Sequence, residues 1–236
     1  MISEINLSRG YSFFWKSSFP LISKLVRKIN LQKHHYIDPI ESATPPELRA
    51  LVNEIAFRVF KNSPQTPSKK ISEIELSKII TSTTTYISKL EKPNEKQPNQ
   101  TITSKETKEA KLIADRIAYY FRINEPGEGI EISPKFKGCG ILNTCYGDIL
   151  CNETLYEIKA GERDFRSTDI RQLLTYTALS HTQKDTKIRN IGLINPRLGT
   201  FSKISIRDAV EIASGRSIQE TFNELISFLD SPQDFI

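Results

Sequence analysis

The chain has 236 residues, of which 38% are hydrophobic and 26% charged, and it carries a formal net charge of +5. That balance excludes a fibrous repeat and a disordered chain, and the length fits one large globular domain or a catalytic domain with a smaller companion region. A membrane span is excluded too, since the best apolar run, residues 13–21, is broken by Lys16 and Pro20; with no basic leader segment and an odd set of three cysteines, a reducing cytoplasm is the expected location.

The charge is uneven along the chain. Residues 1–100 carry net +6 and residues 101–236 net −1; on charge alone this is either ordinary solvated surface or a grip on a phosphate backbone, and DNA grip, assembly and partner docking are the roles open to the N-terminal part.

In chain order, a first helix is expected over residues 20–31. Thr44-Pro-Pro-Glu47 reads as a capping box, followed by the stripe Leu48, Leu51, Val52, Ile55, Ala56, Val59 and Phe60 of an amphipathic helix. Ser72-Glu-Ile-Glu75 repeats the cap before Leu76, Ile79, Ile80, Ile87 and Leu90. Residues 91–103, EKPNEKQPNQTIT, have no apolar period and two prolines, and read as a linker. The expected division is therefore a helical region at 1–90, the linker, and a second domain at 104–236.

A helix from Ser104 to about Arg122 opens that domain. The period then shortens to two, giving strands at 130–133, near 140–143, at 147–151 and at 154–160. A helix starts near Ser167, strands follow at 190–195 and 201–206, and two helices close the chain, the second capped by Ser217-Ile-Gln-Glu220. The fold class expected is α/β, a mixed central sheet flanked by helices with an all-helical N-terminal region.

The chemistry is expected at Glu157-Ile158-Lys159. Residues two apart on a strand share a face, so a carboxylate and an ammonium project together. The acid-x-Lys pattern alone is noise, because it also occurs at Glu106/Lys108, Glu109/Lys111 and Asp185/Lys187. What sets Glu157 apart is Asp148, separated from it by eight intervening residues and placed on the preceding strand, which a tight hairpin brings to the same edge of the sheet. Two hard oxygen ligands beside a backbone carbonyl suit Mg²⁺ or Mn²⁺. On the next helix Gln172 and Tyr176 stand at i and i+4 and face one way.

Gly147-Asp148, Glu157-Ile158-Lys159 and Gln172-Leu173-x-x-Tyr176 together resemble the PD-(D/E)XK superfamily of restriction-endonuclease-like nucleases, and the last motif is similar to its RecB-type and Cas4-type exonuclease branch. The family core, helix, three strands, helix, strand, matches the order over residues 104–195. The resemblance implies that Asp148, Glu157 and the Ile158 carbonyl hold the metal, that Lys159 positions water and steadies phosphate charge, and that Gln172 and Tyr176 support them. It implies a Mg²⁺- or Mn²⁺-dependent deoxyribonuclease with DNA as partner, in phage defence, restriction or DNA repair. An RNA-directed nuclease and a non-catalytic nucleic-acid-binding or assembly protein of the same fold are the alternatives.

Gly147 replaces the family's proline without loss of a ligand. The family's further acidic residue on its first helix is open between Glu109 and Asp115. Arg166 and Arg171, beside the site, are the expected contacts to flanking phosphates. Cys139, Cys145 and Cys151 lack the fourth thiolate of an iron-sulfur cluster, and no phosphate-binding GxxxxGK[ST] loop is present.

Overall fold

The computed structural model describes residues 1–90, 101–127, 129–183 and 188–231. Most of the expected linker, 91–100, lies outside them. Among the described residues no helix is long and apolar enough to cross a membrane.

The fold is α/β: a mixed six-stranded sheet between two layers of helices. Its strands are β1 (His34–His35), β2 (Glu131–Ile132), β5 (Ile149–Cys151), β6 (Thr154–Ile158), β7 (Asn190–Asn195) and β8 (Thr200–Ser205), in spatial order β1-β8-β7-β6-β5-β2. A separate ribbon pairs β3 (Lys135–Phe136) with β4 (Cys145–Tyr146). Both edge strands are two residues long, which leaves little unpaired backbone to attract another chain.

The sheet is built on one parallel and several antiparallel pairs. β5 and β6 form a hairpin in register Ile149↔Tyr156, Leu150↔Leu155 and Cys151↔Thr154. Its two turn residues, Asn152 and Glu153, have φ of 45° and 60°, the positive values that match a turn to the twist of the strands. β6 and β7 run parallel, so their connection must cross one face of the sheet, and helix α8 (Ser167–Gln183) is that crossover. Gly192 on β7 faces the Tyr156 ring, where a Cβ would come within 2.2 Å of a ring carbon; only glycine lets that ring lie across the strand.

One layer consists of α1 (Glu4–Arg9), α2 (Ser12–Ser18), α3 (Ile22–Leu31), α8, α9 (Ile206–Ser214) and α10 (Ile218–Asp230). Its core joins Leu7, Trp15 and Leu25 from the start of the chain to Leu155, Leu173, Leu193 and Phe228. The other layer contains α4 (Arg49–Asn62), α5 (Pro67–Lys70), α6 (Glu73–Leu90) and α7 (Ser104–Asn124). There Leu51, Ile55 and Val59 share a core with Ile113, Ile117, Ile149, Tyr156 and Ile194.

The expected division at residue 90 is therefore corrected: the N-terminal helices supply parts of both layers, and β1 pairs with β8. α4 packs partly against α5 and α6 within the N-terminal region, but its apolar stripe and those of α1 and α3 are completed only by α7, α8, α9 and the two faces of the sheet. Two local expectations also change. Thr44 does not cap α4, because Pro45 and Pro46 lack N–H groups and the chain makes a 3₁₀ turn over Pro46–Leu48 before the helix. Residues 140–143 are not a strand; Leu142 makes an isolated bridge to Ile2, and Gly140, at φ 51°, turns tightly against the Leu229 carbonyl.

The caps at Ser72/Glu75 and Ser217/Glu220 form as read. α6 keeps its Thr-rich middle helical, with Thr81, Thr83, Thr84 and Thr85 each hydrogen-bonding the carbonyl four residues back.

Candidate active site at the end of strand β6

β6 is an interior strand, and its last residues define the site. Alternation sends Leu155 and Glu157 toward α8, and Tyr156 and Ile158 toward α4 and α7. The chain leaves the sheet just after Lys159, whose N–H donates to the Ile194 carbonyl at 2.8 Å.

Asp148 stands immediately before β5. One of its carboxylate oxygens, Oδ2, accepts a hydrogen bond from the Ile158 N–H at 2.6 Å. Glu157 is 5% exposed. Its Oε1 accepts from the Lys159 ammonium at 2.7 Å, and the same ammonium donates to Gln172 Oε1 at 2.8 Å. Glu157 Oε2 is buried with no hydrogen-bond partner. The expectation of both carboxylates at an edge of the sheet is corrected: the strand is central, and Glu157 is buried on the side of α8.

The charges act on one another. Burial pushes the Asp148 carboxyl well above the ordinary aspartate range, and the Glu157 charge adds to the rise. Burial works against the Lys159 ammonium, but Glu157, Asp148 and Asp169 outweigh it and hold its pKa above the usual value. Tyr176 is 2% exposed and stacks on Phe136 with centroids 5.3 Å apart. Its phenol is shifted upward, by burial first and then by Glu157, Glu4 and Asp148.

Four of the expected residues thus meet, Asp148, Glu157, Lys159 and Gln172, and Tyr176 packs beside Phe136 within range of the Glu157 and Asp148 charges. Ile158 lies between them, with its N–H on Asp148. Arg171 is different. Its guanidinium donates to the Ser8 carbonyl at 3.1 Å and sits 5.2 Å from the Trp15 ring centroid, so it packs α8 against α1 and α2, and the phosphate-contact expectation falls on exposed Arg166 alone. Arg163 is bound by both oxygens of Asp169, at 2.7 and 2.9 Å.

Neither acid left open on α7 serves the site. Glu109 pairs with buried Arg197, and Asp115 accepts from the Ser68 N–H at 3.0 Å. Two carboxylates absent from the sequence reading come close instead. Glu54, on α4, lines a cleft of about 160 Å³ together with Asn53, Asp148, Ile158 and Ala160, and its charge contributes to the Asp148 shift. Glu54 also pairs with Arg58 at 2.8 Å. Glu4, on α1, is half-buried; burial raises its carboxyl pKa, and Glu157 adds to the rise. A capped helix start and one acid beside an apolar stripe carry no mark of a site in sequence.

Among the described residues no three His, Cys, Asp or Glu side chains form a ready metal cluster. Asp148 and Glu157 are two, and the Ile158 carbonyl would be a third oxygen. That set suits Mg²⁺ or Mn²⁺, which take one or two carboxylates and keep waters. Compared with protein-family models, with curated proteins and with solved structures, the chain matches none.

Proposed function

We propose that the chain is a Mg²⁺- or Mn²⁺-dependent nuclease that hydrolyses phosphodiester bonds in DNA. The observation that carries this reading is Glu157 Oε2, a carboxylate oxygen buried without a hydrogen-bond donor beside a second carboxyl group, Asp148, whose ionisation burial opposes. A buried unsatisfied polar atom costs about 1–3 kcal/mol, and a divalent cation is the partner that relieves both groups at once. Asp148, Glu157 and the Ile158 carbonyl would hold it. When bound, such an ion lowers the pKa of a water and stabilises negative charge on a phosphate.

The chain's own groups divide the remaining work. Lys159, held cationic by its acidic neighbours, steadies the charge that grows on the phosphoryl oxygens. Gln172 fixes that ammonium from α8. Exposed Arg166, at the turn into the same helix, contacts phosphate away from the scissile bond.

The test is direct: purified protein with Mg²⁺ or Mn²⁺ and linear, circular, single-stranded and RNA substrates. Metal-dependent release of fragments from DNA is expected. Binding without cleavage under every divalent ion would remove the enzyme reading, and faster cleavage of RNA than DNA would correct the substrate.

A further inference from the structure

Arg197 lies in the turn between β7 and β8 and is fully buried, with 0% exposure. A guanidinium in a protein interior is tolerated only when its charge is paired and its donors are used. Its donors reach four separate segments. Nε donates to the Ala160 carbonyl at 2.7 Å, and Nη2 to Asn53 Oδ1 at 3.0 Å. Nη1 donates to Ser42 Oγ at 2.8 Å and pairs with the Glu109 carboxylate of α7. Burial works to raise the Glu109 pKa, but the bond from Arg197 overrides it and holds the carboxyl below the ordinary range.

Two of these partners belong to the candidate site. Asn53 and Ala160 line the same cleft as Asp148, Ile158 and Glu54. Lys159 makes its ladder bond to Ile194, and one residue later Arg197 takes the Ala160 carbonyl. Neighbouring Asn195 continues the hold: its Nδ2 donates to the Gly161 carbonyl at 2.8 Å, while its Oδ1 accepts from the Arg197 and Leu198 N–H groups at 3.1 and 3.0 Å. The chain carrying Lys159 is thus gripped from the β7–β8 turn, and the same side chain ties it to the helix carrying Glu54.

We propose that Arg197 is a positioning residue of the site, fixing the segment just past Lys159 and joining it to α4 so that Ile158, Lys159 and Glu54 keep their relative places. What this positioning serves rests on the nuclease reading. The planar fork is what the task needs, because three nitrogens are required in fixed directions, and a lysine offers all its donors from one point.

The experiment compares wild type, Arg197→Lys and Asn53→Ala by amide hydrogen exchange without metal and by calorimetric titration with Mn²⁺. Arg197→Lys keeps the charge opposite Glu109, and Asn53→Ala leaves every other Arg197 contact in place, so one of the two folds even if the other does not. The expected result is exchange roughly ten-fold faster at residues 159–163, a smaller rise in Asn53→Ala, unchanged protection in β5 and α8, and Mn²⁺ affinity lowered by about 10-fold or more in Arg197→Lys. Unchanged exchange at 159–163 in the folded variants overturns the proposal, as does a rise spread evenly over the sheet, which would make Arg197 a stability residue only. If wild type binds no Mn²⁺ while exchange at 159–163 rises as expected, the metal reading fails and the positioning stands. If wild type binds Mn²⁺ and the variants match it in both measurements, the positioning fails and the metal reading stands.

Discussion

The Lys159 ammonium donates to the Gln172 side-chain oxygen at 2.8 Å, a bond that joins the end of β6 to the helix crossing over it. Gln172→Ala removes that bond and leaves Glu157 to hold the ammonium alone. Cleavage is expected to fall by about 10–100-fold with metal affinity nearly unchanged, since Gln172 orients the lysine and holds no cation. Tyr176→Phe keeps the stack on Phe136 and should cost less still. Single-turnover cleavage beside Mn²⁺ titration measures both; a Gln172→Ala protein as inactive as a ligand variant would move the centre of the site onto α8.

The proposed nuclease reading gives Asp148, Glu157 and Lys159 separable tasks. Asp148→Asn and Glu157→Gln should lose Mn²⁺ binding and cleavage together, whereas Lys159→Met should keep the metal and slow the chemical step by orders of magnitude. Lys159→Met also leaves Glu157 buried without its counter-charge. It should destabilise the fold by about 2–3 kcal/mol, less than a wholly buried pair would lose, because 20% of the lysine side chain is exposed. Three variants that cleave as fast as wild type would remove the site.

On the proposed reading Asp148 also sets function against stability. Its folded-state pKa is raised, so the stability it contributes is fully present below the unfolded aspartate value near ~3.9 and is lost as pH rises through the folded value. Without metal, Asp148→Asn should therefore melt at a higher temperature than wild type at pH 7, with the difference shrinking toward pH 4. An unchanged or lower melting temperature at pH 7 would contradict the burial of that charge.

Glu125 works the other way. Burial alone would raise its pKa, but hydrogen bonds from Lys203, Tyr156 and Asn152 hold it below the ordinary range. The contribution of Glu125 is then present above the unfolded glutamate value near ~4.3 and is lost as pH falls through the folded value. Glu125→Gln should cost on the order of 1–2 kcal/mol at pH 7 and progressively less below pH 4, as followed by urea unfolding across pH.

Deleting residues 1–100 would remove the positive half of the sequence together with parts of both cores. The truncated chain is expected to be unfolded by circular dichroism. Trp15→Ala alone should cost about 3–5 kcal/mol, since Trp15 is fully buried and its Nε1 donates to the Leu7 carbonyl at 2.8 Å. A folded, cooperative 101–236 fragment would restore the two-domain description.

What sequence revealed follows from the range of the forces involved. The β5–β6 hairpin, α8 and the meeting of Asp148, Glu157, Lys159 and Gln172 are written in local periodicity and in residues no more than a few turns apart. Glu54 and Glu4 were illegible because their approach depends on how α4 and α1 dock on opposite faces of the sheet. Arg171 misled for the same reason: a basic residue beside the site reads as surface until Trp15, far upstream in sequence, is known to lie beneath it. The division at residue 90 rested on the stretch 91–103, with two prolines and no apolar period, yet the apolar stripes before it carried no sign of which surface they cover.

The pairing of β1 with β8 sets His34 opposite Phe201, and this has a consequence for the order of events in synthesis. A strand near the start of the chain waits for one emerging about 170 residues later, so the edge of the sheet cannot close on a partly made protein. The site depends on that late arrival as well, because β7 and the turn holding Arg197 follow every candidate catalytic residue in the chain. A ribosome-bound chain that has just extruded Tyr176 would hold all the reactive side chains and no finished place to put them.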